Sequence, residues 1–346
     1  MINPIKQVVI RNPHYGDRML RLSVRRSAWL SHVHTTAAAY GTALVPVIKG
    51  NGYGFGRNAL HALLGDEPAL GDTVCVGSVA ELGDVPAGVT PVVLTPTLTP
   101  PSGPGPEPVL TVGHPLHAGA LDDHGGPVMV KLASSMQRYG TGPDGLPELL
   151  AHVRDAGCVV AGFALHLPIT GDDDDRIAEV EAWLTVLDPI DGGRHELWLS
   201  HLSPASFHAL RARHPGRRLR IRVGTMLWHG APRIDALHLE AMVLQTRPVV
   251  VGDTVGYHDS AVPVDGTLVC VGAGSSHGVR SLDHVEPDRR SPFHFARRRL
   301  FLLERPHMHT SLCLVPAGDP CPRVGDMVDV QQPFIDVHVD ELDWLP

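Results

Sequence analysis

The sequence predicts an α/β chain that starts with an N-terminal (β/α)8 (TIM) barrel and ends in a C-terminal β-strand-rich domain. Eight short apolar runs lie in the first two thirds of the chain, and most do not alternate with polar residues. Such runs are typical of strands buried on both faces of a parallel sheet. Helical patterns separate several of them, and after about residue 235 strands follow one another with little helix between.

The eight runs are the candidate barrel strands, and they occupy residues 45–49, 73–77, 91–94, 109–112, 128–131, 159–165, 196–200 and 219–223. Helical patterns cover residues 58–64, 172–187 and 204–213. The second of these begins with a run of aspartates, which stabilise a helix N-terminus. The Pro-rich residues 96–115 predict a loop excursion.

Later apolar runs predict the strands of the second domain, at residues 249–257, 268–272, 312–315 and 327–330. Turn residues rather than helical patterns separate them. We therefore expect a barrel over residues 1–235 and a β domain over residues 236–346.

The charge balance disfavours two classes of protein. The chain has 29 basic and 37 acidic residues, a net charge of −8, and its basic residues form only short clusters such as residues 297–299. A nucleic-acid partner requires a clustered positive surface, so we do not expect one. No apolar stretch approaches the length of a membrane span, and the N-terminus lacks the apolar core of a signal peptide.

Cysteine and histidine usage gives two further expectations. The five cysteines are an odd number and include no CxxC pair, which argues against a disulfide framework and predicts a cytoplasmic location. Histidine pairs such as His32/His34 and His307/His309 lack the carboxylate or cysteine that would complete a ligand set. We therefore expect no metal site.

A lysine ends the first candidate strand, at the end of the barrel where active sites lie. Residues 47–56 have the sequence VIKGNGYGFG, so four glycines follow Lys49 within seven residues. Glycine allows the backbone to approach a ligand closely. On these residues alone, Lys49 is equally well explained as an exposed lysine before a flexible turn.

This segment resembles the pyridoxal-phosphate attachment motif of the alanine racemase family. In that motif a strand ends in Lys, followed by a small residue, Asn, a small residue, Tyr and Gly. The resemblance implies pyridoxal 5'-phosphate as the cofactor, Lys49 as the Schiff-base lysine and Tyr53 near the phosphate. Phe55 stands where the family has His.

Residues 130–140, with the sequence VKLASSMQRYG, resemble the family's second motif. The resemblance implies that Arg138 bonds the phenolic oxygen of the cofactor ring and helps to bind the substrate carboxylate. Lys131 matches a lysine that the family often carbamylates to hold that arginine. Residues 133–135 are Ala-Ser-Ser where the family has Asp-Thr-Gly. From their local sequence alone, residues 130–140 are equally well explained as an ordinary strand followed by a charged turn.

Three further pieces follow in the family's order. The resemblance implies that His166, after the sixth strand, stacks on the cofactor or orders the tyrosine base. Ser203 opens a helix, where it serves as an N-cap, a phosphate contact or both. Arg222 would contact the pyridine nitrogen and keep it unprotonated, because arginine stays charged. The amides of Gly224 and Thr225 would bind the phosphate.

Tyr257 follows Val-Gly in a predicted strand of the second domain, where the family has its second catalytic base. A free phenol has a pKa of about 10, which is too high for a base at neutral pH. We expect positive neighbours to lower that pKa, and His166 and Arg222 are the candidates. From its local sequence alone, Tyr257 is a half-buried strand aromatic.

The match departs after residue 270. Met308 fits a methionine that the family's partner subunit brings to the substrate carboxylate, whereas His309 and Thr310 replace Asp-Gln. The family's entrance Tyr and Asp and its C-terminal phosphate-binding Tyr have no counterpart here. These changes lie at the substrate end of the expected site, so the identity of the amino acid stays open.

The resemblance extends over about residues 20–340, and it implies an alanine racemase-like enzyme. Lys49 and Tyr257 would be its two bases, interconverting an L- and a D-amino acid, and a head-to-tail homodimer would share its active sites. A decarboxylase of the same architecture is an alternative, with Cys313 or Cys321 as proton donor. A non-catalytic cofactor-binding or regulatory homologue is a third.

Overall fold

The chain folds into two compact units. The computed structural model describes residues 18–102, 107–122, 124–282 and 290–346. The barrel unit consists of Leu22–His238, Gln332–His338 and Trp344–Pro346. The sheet unit consists of residues 18–21, Leu239–Gln331 and Val339–Asp343.

We expect a single domain boundary near residue 235, but each unit is built from more than one segment of the chain. Residues 18–21 belong to the sheet unit, because the amides of Met19 and Leu20 donate to the Asp340 carboxylate at 3.1 and 2.9 Å. Two short C-terminal segments return to the barrel unit. Contacts between residues more than 300 positions apart decide these assignments, and a local pattern does not reveal them.

Eight parallel strands form a closed barrel. The chain first forms β1 (Leu20–Arg25), and the barrel strands are β2 (Leu44–Pro46), β3 (Thr73–Val76), β4 (Thr90–Val93), β5 (Leu110–Val112), β6 (Pro127–Leu132), β7 (Val159–Leu165), β8 (Glu196–Leu199) and β9 (Leu219–Val223). The order β2-β9-β8-β7-β6-β5 is continuous, and β3 pairs with β4. Parallel bridges from Val47 to Cys75 and from Val92 to Val109 join the two groups. The predicted barrel is therefore confirmed.

The helices are α1 (Arg26–Tyr40), α2 (Arg57–Asp66), α3 (Pro115–Gly119), α4 (Leu146–Asp155), α5 (Asp173–Asp191), α6 (Pro204–Arg213) and α7 (Thr225–Trp228). Short 3-10 turns lie at Gly41–Ala43, Gly52–Gly54, Pro68–Leu70, Val79–Asp84, Ser275–His277 and Phe334–Asp336. The three predicted helical patterns are found as α2, α5 and α6. The predicted loop at 96–115 contains β5, and its residues 103–106 lie outside the described part of the chain. None of the described helices is long and apolar enough to cross a membrane.

Acidic residues of the predicted run cap the N-terminus of α5. The Asp172 side chain accepts from the Asp175 amide at 3.0 Å, and the Asp175 carboxylate accepts from the Asp172 amide. This reciprocal capping box satisfies two amides that the first turn leaves without helical partners. The helix ends at Gly192, which adopts the left-handed conformation with φ +59°.

The sheet unit is antiparallel. Its strands are β10 (Leu237–Val249), β11 (Thr254–Val255), β12 (Ser260–Ala261), β13 (Gly266–Val271), β14 (Phe293–Phe295), β15 (Arg298–Arg299), β16 (Phe301–Leu302), β17 (Ser311–Pro316), β18 (Met327–Val330) and β19 (Glu341–Leu345). The order β15-β14-β18-β10-β13-β17-β16 is continuous, and β1 pairs with β10 and β19. The predicted C-terminal β-rich domain is therefore confirmed.

One predicted strand of this unit, over residues 249–257, is wrong over most of its length. Strand β10 ends at Val249, and β11 contains only Thr254–Val255. Gly252 and Gly256 have φ values of +94° and +77°, which no strand residue adopts. Tyr257 consequently lies in the turn between β11 and β12 rather than on a strand.

The loop after β2 anchors a C-terminal segment of the barrel unit. Asn51 Nδ2 donates to the carbonyl oxygens of Phe334 and Val337 at 2.7 and 2.6 Å. A Cβ on Gly54 would lie 3.1 Å from the Phe334 side chain. Two positions of the lysine-containing motif, Asn51 and Gly54, therefore serve the fold by holding residues 332–338 in place.

Candidate active site

Four functional candidates of the barrel unit lie at the same end of the barrel. Lys49 follows β2, Lys131 is the fifth residue of the six-residue β6, His166 follows β7, and Arg222 is the last but one residue of β9. Because all eight strands run parallel, their carboxyl ends meet on one face. This face is where the loops of a (β/α)8 barrel build an active site.

Arg222 is a buried cation that backbone groups hold in place. It is 8% exposed, its Nη2 donates to the Leu165 carbonyl oxygen at 2.8 Å, and its Nε donates to that of Leu199 at 3.3 Å. Burial lowers its pKa, but a guanidinium remains charged throughout the accessible pH range. The charge therefore stays in the barrel at any physiological pH.

Lys49 lies at the mouth of the barrel. The residue is exposed overall, but the surrounding protein partly buries its amine. This desolvation is the largest of the causes that lower the pKa of Lys49. The positive charges of Arg138 and Arg222 lower that pKa further, and Glu81 partly opposes them. A lowered pKa enlarges the uncharged fraction of the amine, which is the nucleophilic form.

Lys131 is more deeply buried. It is 4% exposed, and its Nζ donates to the carbonyl oxygens of Leu132 and Ala164, each at 3.2 Å. Burial, together with the charges of Arg222 and Arg138, lowers its pKa to about 6. The amine is therefore uncharged at neutral pH, unlike an ordinary lysine.

Arg138 and Tyr139 lie on the loop after β6. Arg138 is exposed, and its guanidinium carbon lies 4.6 Å from the centre of the Tyr139 ring. The Tyr139 hydroxyl donates to the Leu94 carbonyl oxygen at 3.1 Å, which fixes the ring below the arginine. A cation over an aromatic face is favourable, so this pair positions Arg138 at the rim of the site.

His166 lacks the positive charge predicted for it, because its pKa is far below neutral pH. Burial is the largest of the causes that lower its pKa to about 2, and the charge of Arg222 is the next. Its ring packs edge-on against His201 at 4.9 Å between centroids, and the pKa of His201 is also lowered. A neutral His166 cannot serve as the positive neighbour of a phenol, so that part of the expectation for Tyr257 is wrong.

Tyr53 and Gly224 form a close contact in the barrel unit. Tyr53 is 6% exposed and has a φ of +56°, which only a constrained side chain holds. A Cβ on Gly224 would overlap the Tyr53 hydroxyl, so only glycine fits this position. The carbonyl oxygen of Tyr53 also lies 2.7 Å from His229 Nε2. The phenolic hydroxyl of Tyr53 therefore packs directly against the Gly224 backbone.

Ser203 is an N-cap of α6, and its own amide already has an anionic partner. Its hydroxyl accepts from the Ser206 amide at 3.3 Å. Its amide donates to the Asp173 carboxylate at 3.1 Å. Burial raises the pKa of Asp173, but hydrogen bonds from Ser203, Ser206 and Arg176 outweigh it and hold that pKa below its usual value. The Asp173 carboxylate therefore accepts from the amide of Ser203, the residue predicted to contact the phosphate.

Glu81 is a site residue that the sequence analysis missed. Its carboxylate accepts from the Gly50 amide at 3.1 Å and from the Gly77 amide at 2.7 Å. A Cβ on Gly77 would lie 3.2 Å from the Lys49 Cβ. Glu81 thus fixes the two chain segments that follow β2 and β3 and places a negative charge near Lys49. Its position five residues after the end of β3 is the sequence signal that points to it.

In the sheet unit, Tyr257 lies on a turn that Glu304 holds through backbone hydrogen bonds. The residue is 82% exposed, and its ring lies 4.3 Å from that of His307. Glu304, which is 6% exposed, accepts from the Tyr257 and His258 amides at 3.2 and 3.4 Å and also binds His307. A Cβ on Gly256 would overlap the Glu304 carboxylate, which explains why glycine precedes the tyrosine.

Met308 lies on the neighbouring segment of the sheet unit and is 66% exposed. Its carbonyl oxygen accepts from the Ser276 amide and hydroxyl at 2.9 and 2.6 Å. The same hydroxyl lies 3.0 Å from His309 Nδ1. The polar residues that replace the expected Asp-Gln and entrance motifs therefore bond one another.

The decarboxylase alternative, which uses a cysteine as proton donor, finds little support at Cys313. Cys313 is fully buried in β17, and burial raises the pKa of its thiol to about 12, which makes it a poor proton donor. Cys321 is half-buried. Within the described ranges, no group of three or more histidine, cysteine or acidic side chains is arranged to hold a metal ion.

The barrel site fits an anionic pyridoxal cofactor in most respects. It offers an amine of lowered pKa at Lys49, a buried cation at Arg222, and a phenolic hydroxyl at Tyr53 packed against Gly224. A second cationic side chain, Arg138, lies at its rim. The exception is Ser203, whose amide is already donated to a carboxylate.

Comparisons with known proteins identify the family of the chain. Residues 27–232 match the family model for the N-terminal domain of alanine racemase. The chain therefore belongs to the alanine racemase family. No curated protein sequence matches it.

Solved structures of alanine racemases have the same fold. The biosynthetic enzyme of Pseudomonas aeruginosa is 20% identical, with a TM-score of 0.66 over 95% of this chain and all of its own. The enzyme of D-cycloserine-producing Streptomyces lavendulae is 16% identical, with a TM-score of 0.68 over 96% of this chain and 98% of its own. That of Bartonella henselae, with covalently bound pyridoxal phosphate, is 18% identical, with a TM-score of 0.67 over 91% of each chain.

The three lysines of this sequence allow a direct test of the amine pKa values. In protein labelled with 13C at the lysine ε-carbon, we expect the Lys131 resonance to titrate with a midpoint near pH 6. Lys49 should titrate below the ordinary value for lysine. Arg138→Gln should raise both midpoints, because the Arg138 charge lowers both pKa values.

Lys49→Arg and Lys131→Arg assign the resonances. Arg154→Gln, which removes an exposed arginine from the last turn of α4, is the matched control and should leave both midpoints unchanged. A Lys131 resonance that titrates near pH 10, as in an unfolded chain, would contradict the assignment.

Proposed function

We propose that the protein is a pyridoxal-phosphate-dependent amino-acid racemase of the alanine racemase type. The observation that carries the proposal is the group of positive side chains around Lys49 at the carboxyl end of the barrel. Such a group favours an anionic cofactor and an α-carboxylate substrate. Membership of the alanine racemase family supports the same reaction.

Residues of the barrel unit would hold the cofactor. Lys49 would attach it covalently, the Tyr53 hydroxyl and the amides of Gly224 and Thr225 would bind the phosphate, and Arg222 would face the ring nitrogen. When bound, pyridoxal phosphate supplies an electron sink that stabilises negative charge at the substrate α-carbon. Because Arg222 cannot accept a proton, it would limit how far the ring takes up that charge.

Two side chains would move the α-proton. Lys49 Nζ would take it from one face of the substrate, and the Tyr257 hydroxyl oxygen would deliver a proton to the other face, with the roles reversed in the opposite direction. The lowered pKa of Lys49 supports its role as a base at neutral pH. The neutral His166 would contribute packing and hydrogen bonding without charge. Arg138 would bind the substrate carboxylate.

Lys131 would support Arg138. Its amine is uncharged above about pH 6, and an uncharged amine is the form that adds carbon dioxide. We therefore propose that Lys131 is carbamylated, which would give the arginine a negative partner. A change in the Lys131 carbon resonance on addition of bicarbonate tests this step.

We propose that the active protein is a homodimer with shared active sites. Tyr257 and Met308, which the resemblance assigns to base and substrate roles, are 82% and 66% exposed on the sheet unit. Exposed side chains with those roles are available to complete the site of a second copy. All five cysteines are free thiols, which supports a reducing, cytoplasmic location.

The first prediction tests Lys49 as the attachment site. Purified protein supplied with pyridoxal phosphate should gain visible absorbance, and borohydride reduction should leave the cofactor's mass on the peptide that contains Lys49. Lys49→Ala should lose both signals, whereas Arg213→Ala, on the outer helix α6, should retain them. The absence of a covalent adduct in the wild-type protein would contradict the proposal.

The second prediction tests Tyr257 as a base for one enantiomer. Tyr257→Phe should slow α-proton exchange with solvent by about 100-fold or more for one enantiomer and far less for the other, since only one face loses its base. Asp259→Asn, on the same turn, is the matched control and should leave both rates unchanged. Equal, mild losses for the two enantiomers would exclude the two-base assignment. Bound cofactor with no exchange for any amino acid would favour a non-catalytic homologue.

Mixing two variants extends that test to the shared site. Lys49→Ala and Tyr257→Phe chains should each fail to racemise substrate. Half of the randomly mixed dimers are hybrids, and each hybrid has one site with both wild-type residues, so mixing should restore about a quarter of the activity. If one chain supplies both bases to a site, mixing restores none.

The third prediction concerns the carboxylate at Ser203. Asp173→Asn should tighten binding of pyridoxal phosphate by about tenfold, because it removes a like charge near the phosphate. Binding of pyridoxal, which lacks the phosphate, should not change. Asp174→Asn, on the same exposed turn of α5, is the matched control. An unchanged affinity for pyridoxal phosphate would mean that the phosphate lies away from α6.

A further inference from the structure

A second cationic site lies at the opposite end of the barrel from Lys49. A cavity of about 540 Å³ opens where β8 and β9 begin, and we call it the arginine cavity. Its charged and polar lining consists of Glu196, His208, Arg211, Arg217, Arg218 and Arg220. The carboxyl ends of the same strands carry the candidate active site, so the two sites are separated by the length of the barrel strands.

The arginines of the cavity are only partly compensated. Arg217 has a side chain that is 3% exposed, and its Nη1 binds Asp191 at 2.7 Å and lies 3.8 Å from the mostly exposed Asp188. Its Nε and Nη2 are buried without a hydrogen-bond partner among the described residues. Buried guanidinium groups nearly always find partners for their N–H donors, so this wall of the cavity has unused hydrogen-bonding capacity.

The other guanidinium groups add to this field. Arg220 lies over the Trp198 ring at 5.2 Å, and its Nη1 is 4.0 Å from Glu196. Arg218 donates to a backbone carbonyl oxygen at 2.7 Å rather than to a carboxylate. Arg211, in the last turn of α6, lies 5.8 Å from the Phe207 ring. Four arginines therefore converge in a chain whose net charge is −8.

The guanidinium groups of the arginine cavity indicate which class of ligand it binds. Guanidinium groups bind phosphate oxygens through paired N–H donors, and a dianion gains more from several of them than a singly charged carboxylate does. The volume exceeds what a bare phosphate requires and falls within the range of small-molecule sites. The uncharged part of the lining, Thr42, Ala43, Ala212, Pro215 and Leu219, offers mainly apolar surface for an organic group.

We infer that the arginine cavity binds a phosphate monoester of a small organic molecule. This site is separate from the one proposed for pyridoxal phosphate and does not depend on the racemase proposal. Its position at the amino ends of the strands leaves the catalytic face of the barrel accessible while the cavity is occupied.

Calorimetric titration of the full chain with glycerol 3-phosphate tests the inference. We expect saturable binding, and we expect the double variant R211A/R218A to weaken it by about tenfold or more. Both arginines are exposed, so the variant should fold, as circular dichroism will verify. R211K/R218K keeps the charge but loses the paired donors, and it should bind with intermediate affinity.

The matched control is R213A, which removes an arginine of α6 that binds Glu181 at 2.7 Å and does not line the cavity. It should bind glycerol 3-phosphate as the wild-type chain does. No binding, or equal binding by the wild-type chain and R211A/R218A, would overturn the inference. Equal affinity for the dicarboxylate glutarate would overturn the assignment of phosphate.

Discussion

A buried positive charge at the carboxyl end of the barrel is the constraint on which the rest of the candidate active site depends. Arg222 is 8% exposed, and backbone carbonyl oxygens at the ends of β7 and β8 hold it. Burial is the largest of the causes that lower the pKa values of Lys49, Lys131 and His166, and the charge of Arg222 lowers all three further. Burial of a charge is costly unless a partner is present, which favours an anionic ligand in this position.

Two carboxylates of this protein hold loop backbone in place. Glu81 binds the amides of Gly50 and Gly77, and Glu304 binds those of Tyr257 and His258. In each case a carboxylate acceptor fixes a loop that carries a candidate functional side chain. In the barrel unit, the positive charges of Arg138 and Arg222 act on Lys49, in a chain with a net charge of −8.

Sequence patterns were most accurate where local residues decide the structure. The barrel strands follow from short β-branched runs, and α5 and α6 begin after residues whose side chains cap them, Asp172 and Ser203. Helix α1 is not among the predicted helices, and its N-cap residue, Arg25, makes no side-chain capping bond. The sequence contains three lysines in 346 residues, and two of them, Lys49 and Lys131, lie at one end of the barrel.

The sequence by itself determined the order of strands, the barrel and the family resemblance, because strand runs and motif spacing are local properties. It also located Lys49 and Arg222 at strand ends. Only the tertiary structure decided that His166 is neutral, that the Ser203 amide is donated to Asp173, and that Tyr257 lies in a turn. These features depend on burial and on charges from residues distant in sequence, so no local pattern contains them.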